Sequence, residues 1–168
     1  MALFKSTPLF CVLVCVGLLA CLAWSTHAAG DLSHGFGDSI AWVSYRDALE
    51  QAKQLNKPVF LLLHKSWCGA CKRLKQDFAA SKEIAEESKK FVMVNAEDEE
   101  EPHADATYNV DGGYIPRLFF LTPDGQLTGV YNEAGNAAYK YYYFTPDQIL
   151  AAMSRALAAV GSPLNKEL

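Results

Sequence analysis

Runs and spacings of apolar residues predict most elements of this chain. Residues 59–63, Val-Phe-Leu-Leu-Leu, are apolar without interruption. Such a strand has both faces covered, which places it centrally in a sheet. Residues 91–94 and 117–121 read as further buried strands, and the shorter run 40–43 as a fourth. Helical spacing appears elsewhere. Tyr45, Leu49 and Ala52 follow a Ser44/Asp47 capping pair, and Asn56-Lys57-Pro58 stops that helix. Cys71, Leu74 and Phe78 recur at intervals of three and four, predicting a helix that opens at Cys68. Ser81 caps a short helix carrying Ile84. Thr145-Pro146-Asp147-Gln148 starts the last helix, with Ile149, Leu150, Met153, Leu157 and Val160 as its apolar stripe. Gly161 and Pro163 end it.

Turn chemistry completes the outline. Asp124-Gly125 predicts a hairpin whose return strand is 126–131. The acidic run Glu97-Asp98-Glu99-Glu100-Glu101 reads as a solvated loop, because screening weakens exposed charges beyond about 8–10 Å. The alternative places it near Cys68, where it would raise that thiol's pKa and select against acidic substrates. Tyr139, Tyr141, Tyr142 and Tyr143 are expected to pack beneath the last helix, with a docking surface as the alternative. The order of elements predicts an α/β domain, a central mixed β-sheet flanked by helices on both faces.

The ends of the chain change the picture. Residues 8–24 are almost wholly apolar, Lys5 precedes them, and Thr26 and Ala28 stand at −3 and −1 of a cleavage point before Ala29. Residues 1–28 read as a secretory signal peptide. The run is short for a membrane span of about 20 residues, so no stable membrane anchor is expected. A lipoprotein site at Leu18-Leu19-Ala20-Cys21 is a competing reading. Glu167-Leu168 weighs against it, since it matches the last two residues of KDEL-type retention signals. The expected organisation is a signal peptide (1–28), a mobile glycine-bearing lead-in (29–38), one domain (39–161) and a tail (162–168). The location implied is the endoplasmic reticulum lumen, with partial secretion, and a retrieval receptor is a partner.

Signal-peptide removal also settles the cysteines. Cys11, Cys15 and Cys21 fall in the apolar segment, leaving Cys68 and Cys71. Two cysteines in one Cys-x-x-Cys make no disulfide framework. The net charge of −4 gives no reason to expect nucleic acid.

Those two cysteines carry the candidate chemistry, in Trp67-Cys68-Gly69-Ala70-Cys71. At a helix N-terminus, unpaired N–H groups and the helix dipole stabilise a thiolate, the form that attacks disulfides. Cys68 is therefore expected to be the accessible nucleophile, with a pKa below the free value of about 8.5. Cys71, on the Leu74/Phe78 stripe, is expected to be shielded and to resolve the mixed disulfide. A structural disulfide and half of a metal site are the alternatives. Zinc needs further ligands, and only His34, His64 and His103 lie beyond the signal peptide. Lys72 after Cys71 breaks the haem-attachment pattern. No metal and no cofactor is expected. Lys65 reads equally well as a positive charge near Cys68 or as a solvated strand end.

The Trp-Cys-x-x-Cys helix and the later Ile115-Pro116 before a strand resemble the thioredoxin family over residues 39–160. Three longer motifs, 64–71, 97–102 and 111–116, are similar to small endoplasmic-reticulum oxidoreductases of that fold. These are related to the anterior-gradient and protein disulfide isomerase families. The resemblance implies a thioredoxin-like fold and a dithiol–disulfide oxidoreductase with Cys68 and Cys71 as redox pair. It implies a cis Ile115–Pro116 bond and a substrate-binding role for Trp67, Ile115 and Pro116. Implied partners are secretory client proteins, and glutathione or another disulfide oxidoreductase. Two departures stand out. Gly69 and Ala70 lack the proline or histidine such centres carry between the cysteines. Leu62 occupies the place, six residues before Cys68, of a buried proton-transferring acid. Anterior-gradient relatives with one cysteine imply an alternative, a client-binding chaperone-like module with little turnover.

Overall fold

The computed structural model describes residues 31–102 and 106–161. The expected signal peptide, Cys11, Cys15, Cys21, His103 and the tail at 162–168 lie outside the described residues.

The sheet has four strands: β1 (Trp42–Val43), β2 (Val59–His64), β3 (Val92–Glu97) and β4 (Arg117–Leu121). Their order is β1-β3-β2-β4, with β2 parallel to β3 and antiparallel to β4. Mixed pairing of this kind follows from one crossover and one reversal of chain direction. The unbroken apolar runs of β2 and β4 are buried along their whole length.

Alternation along the strands divides the core in two. Phe60, Leu62, Met93, Leu118 and Phe120 face one side, with Leu74, Phe78, Ile84, Ile149 and Met153 from the helices. Leu61, Leu63, Val94, Phe119 and Leu121 face the other, against Ala48 and Ala52. Helix α1 (Tyr45–Leu55) thus covers one face. Helices α2 (Gly69–Ala80), α3 (Lys82–Ser88) and α4 (Pro146–Gly161) cover the other. Beside α1, Tyr108 fills its face from a single 3-10 turn, Ala106–Tyr108.

The helix ends follow their sequence signals. Ser44 Oγ accepts from the Asp47 N–H at 3.2 Å, and Asn56 closes α1 at φ 49°. Ser81 ends α2 and caps α3 through the Ile84 N–H. At α4, Thr145 Oγ1 accepts from Gln148 N–H, while the Gln148 side chain accepts from Phe144 N–H.

Four expectations need correction. The lead-in is not loose over 31–38. Phe36 is fully buried, packed on Phe78 at 5.5 Å between ring centroids. A buried aromatic of this kind contributes about 1.5–3 kcal/mol, enough to hold a short polar segment. The hairpin return at 126–131 is not a strand. After the Asp124-Gly125 turn only Leu121 and Leu127 pair, Thr128 bonds Phe120 O twice, and Gly129 turns away at φ 76°. Along α4, Ala152 and Ala156 are buried with Ile149 and Met153, whereas Leu150 and Leu157 only flank the core. The tyrosines divide. Tyr143 packs on the α4 side and Tyr141 on the opposite face, and Tyr139 is exposed.

Candidate active site

Strand β2 delivers the chain through His64, Lys65 and Ser66 to the start of α2. Cys68 is the N-cap residue of α2, with extended backbone (φ −75°, ψ 122°). Its sulfur takes the place usually held by a capping oxygen and accepts the Cys71 N–H at 3.2 Å. On its other side the Cys68 Sγ lies 3.9 Å from Ile115 O, its hydrogen-bond acceptor. Ile115 and Pro116 are joined by a cis peptide, as the resemblance implied. The structure therefore brings Cys68, Cys71 and Ile115 together, with Pro116 buried beside them. Trp67 stands apart from the core at 72% exposed.

Both thiols are free and both are buried, Cys68 at 7% and Cys71 at 1% exposure. The expected contrast of accessibility is thus small. The sharper asymmetry is chemical. Burial, then the interaction with Cys68, pushes the Cys71 thiol up to about 12, while the Lys65 N–H works in the opposite direction. Cys71 is a protonated thiol at neutral pH.

The acidic run is not a solvated loop. Glu97 ends β3, and Asp98–Glu100 form a 3-10 turn against the segment before Cys68. Asp98 Oδ1 accepts the Ser66 N–H at 3.0 Å, and the hydrogen bonds from Ser66 hold the Asp98 carboxyl below its usual range. Lys65 Nζ donates to Asp98 O at 2.8 Å and pairs with Glu101 at 3.2 Å. Lys65 is not a solvated strand end: its ammonium is drawn onto the acidic turn.

A polar cluster adjoins this turn. His34 reaches Glu100 at 2.7 Å and Glu97 at 3.5 Å, and Lys75 of α2 reaches Glu97 at 3.8 Å. His64 is fully buried, 3.6 Å from Glu97, with neither ring nitrogen hydrogen-bonded. Burial lowers its pKa to about 4, against a raising contribution from Asn95. Among the described residues no group of three or more His, Cys, Asp or Glu is arranged to hold a metal ion. The sequence signal for this cluster is one polar residue, His64, closing a strand otherwise wholly apolar.

The loop carrying Ile115 is braced from beneath. The buried Arg117 guanidinium donates to the carbonyl oxygens of Tyr108 and Gly112 and to Asn109 Oδ1. Tyr114 Oη donates to Asp111 at 2.5 Å and accepts the Tyr141 N–H at 2.9 Å. A wider cleft of about 390 Å³, lined by Leu32, Tyr45 and Arg46 among others, contains no cysteine.

A thioredoxin-like family model matches residues 41–123. Anterior gradient protein 3 of Mus musculus is 34% identical over 139 residues, covering 79% of this chain and 81% of its own. The chain belongs to the anterior gradient family. Anterior gradient protein 2 of Xenopus tropicalis is 31% identical over 163 residues, covering 93% of this chain and 96% of its own. Among solved structures, a DsbH oxidoreductase (TM-score 0.52, 23% identity) aligns over 74% of this chain and 86% of that one. A Thermus thermophilus thioredoxin (TM-score 0.53, 17% identity) aligns over 73% and 91%. Both share the thioredoxin-like fold with this anterior gradient family member.

Proposed function

We propose that this protein is a thiol–disulfide oxidoreductase acting on disulfides of secretory proteins through Cys68 and Cys71. One observation carries the reading: Cys68 caps a helix N-terminus with an N–H on its sulfur, backed by a protonated Cys71 on the next turn. Negative charge on the Cys68 sulfur is favoured there by the amide and the helix dipole. The Cys68 thiolate attacks one sulfur of a client disulfide, and the other client sulfur leaves as thiolate. Cys71 then loses its proton and attacks the Cys68 sulfur, releasing the second client thiolate. Two electrons pass to the client, and a Cys68–Cys71 disulfide remains for glutathione or a partner dithiol to reduce. The reverse sequence oxidises a client dithiol.

The two-cysteine centre, with the motifs at 64–71, 97–102 and 111–116, resembles thioredoxin domain-containing protein 12, a relative of the anterior gradient proteins. The compartment is the endoplasmic reticulum lumen, a reading supported by the apolar residues 8–24 and by Glu167-Leu168. Deleting residues 165–168 should raise secretion several-fold if that ending is read by a receptor. Equal retention of both chains would remove the support it gives.

Replacing Cys68 by Ser should abolish turnover in insulin reduction and in peptide oxidation. Turnover retained in that variant would overturn the assignment. Exposed Trp67, Tyr139 and Phe144 favour a second reading, client holding without turnover. A Cys68→Ser/Cys71→Ser double variant that still suppresses client aggregation at full strength would decide for it.

A further inference from the structure

Beside the cysteines lies a cleft of about 240 Å³ that the exchange chemistry leaves unused. It is lined by Ala70, Arg73, Leu74, Tyr142 and Phe144. Ala70 stands between the two cysteines in the chain, so the cleft adjoins the first turn of α2, although neither sulfur lines it. Its floor is Leu74, buried on the core stripe of α2. One wall is an aromatic pair, Tyr142 and Phe144, stacked at 6.1 Å and 28°. The pair is fixed through its backbone, since Asn132 Nδ2 donates to Tyr142 O at 2.8 Å and Gln148 Oε1 accepts the Phe144 N–H at 3.2 Å. Phe144 nevertheless remains 49% exposed. A large, exposed apolar ring on an anchored backbone is a feature of binding surfaces.

Charge distinguishes the lip of this cleft. Arg73 is exposed and has no ion-pair partner among the described residues. The carboxylates nearest the other approach to Cys68 are occupied: Glu101 by Lys65, Glu97 and Glu100 by His34, and Asp98 by Ser66. Among the described residues Arg73 is the one charged residue lining the cleft, although the whole chain carries −4. An unpaired guanidinium over an apolar floor and an aromatic wall matches a carboxylate next to an apolar side chain.

We propose that this cleft is a specificity site for client polypeptide. It receives an aromatic or aliphatic side chain near the reacting client cysteine, with a neighbouring Asp or Glu held by Arg73. The proposal rests on the oxidoreductase reading and names the client segments that reading prefers. Client cysteines flanked by acidic and apolar residues exchange faster than the same cysteines flanked by basic ones. The preference weakens with salt, since an exposed pair is screened over about 8–10 Å.

Two peptides test it, each containing one cysteine as its glutathione mixed disulfide: one with Phe and Glu beside the cysteine, the other with Phe and Lys. The readout is the ratio of their exchange rates with the full-length protein, which cancels any change in thiol reactivity common to both. The expected wild-type ratio is about three- to tenfold in favour of the acidic peptide at low ionic strength, falling toward one at high salt. Arg73→Glu should invert it. A third peptide, with Gly in place of Phe beside the Glu, should exchange more slowly than the Phe and Glu peptide with wild type and equally fast with a Tyr142→Ala/Phe144→Ala variant. Lys53→Glu, an equal charge change on α1 at the opposite face of the sheet, should leave the ratio alone. A wild-type ratio of one, or a ratio that Arg73→Glu leaves unchanged, overturns the cleft proposal while exchange itself continues. A shift equally large in Lys53→Glu overturns it as well, by assigning the preference to net charge. Absence of exchange with both peptides and with glutathione disulfide would instead overturn the oxidoreductase reading.

Discussion

Leu62 and Asn95 are register partners across β2 and β3, and both are buried. Leu62 stands six residues before Cys68, on the sheet face that α2 covers, and it cannot titrate. Asn95 spends its amide on Ser33 O at 2.6 Å, which anchors the packed lead-in. No acid at this pair relays the Cys71 proton. We expect Leu62→Glu to shorten the life of the mixed disulfide on Cys68, at a cost of about 2–5 kcal/mol for an unpaired buried carboxyl. Quenched-flow trapping with mass analysis measures the first effect and urea unfolding the second. An unchanged lifetime in a folded variant would show that proton removal from Cys71 is not the slow event.

Cys71 supplies a second prediction. Its thiol titrates near 12 in the folded chain against an ordinary value near 9. An acid with a raised folded pKa favours folding fully at pH below its unfolded value, and that contribution disappears as pH rises from about 9 toward 12. In the reduced protein at pH 8, iodoacetamide should modify Cys68 at least tenfold faster than Cys71. Cys71→Ser should accumulate mixed disulfides through Cys68. Labelling of Cys71 ahead of Cys68 would reverse the assigned roles.

His64 controls part of the acid limb of stability. It is buried and neutral, with its pKa lowered from 6.5 to about 4. Glu97 and Asn95 of β3, Lys75 of α2, His34 of the lead-in and Asp98 of the 3-10 turn surround it. The unfolded chain binds a proton at His64 below 6.5 that the folded chain refuses until about 4. Stability therefore falls as pH drops through that window, by up to about 3 kcal/mol. Urea unfolding at pH 7, 5.5 and 4.5 should show His64→Leu with a shallower decline than wild type. Parallel declines would place the acid sensitivity in other groups.

Arg117 braces the segment that ends at Ile115 and Pro116. Arg117→Met leaves the carbonyls of Tyr108 and Gly112 without their shared donor, an expected loss of about 2–4 kcal/mol. Arg117→Lys should rescue part of the loss, because the three acceptors converge on a single guanidinium nitrogen, a place an ammonium with three N–H donors can take. Hydrogen exchange over 106–116 is the check, and it should accelerate in both variants.

Much of this was legible in the sequence, for physical reasons. The unbroken apolar runs fixed the central strands, and Ser44, Ser81 and Thr145 fixed helix starts, because burial and capping are local demands. Cys68 at a helix start was legible by the same logic. What escaped were side chains whose role depends on distant partners. Phe36 looked like part of a glycine-rich leader until Phe78 and His64 closed on it. The acidic run looked solvated because nothing local shows that Lys65, Ser66 and His34 meet it. The return strand after Gly125 failed because Thr128 and Gly129 divert the backbone, a competition that alternation alone cannot display.

The central claim is reversible thiol–disulfide exchange at Cys68 and Cys71. Its most direct test is a redox titration of the full-length protein in glutathione buffers of graded ratio, read by acid quench, alkylation and mass analysis of the peptide spanning both cysteines. The account predicts one reversible two-electron transition between the dithiol and the Cys68–Cys71 disulfide, absent in Cys68→Ser. A pair that stays reduced at every ratio, or oxidises only irreversibly, would contradict it.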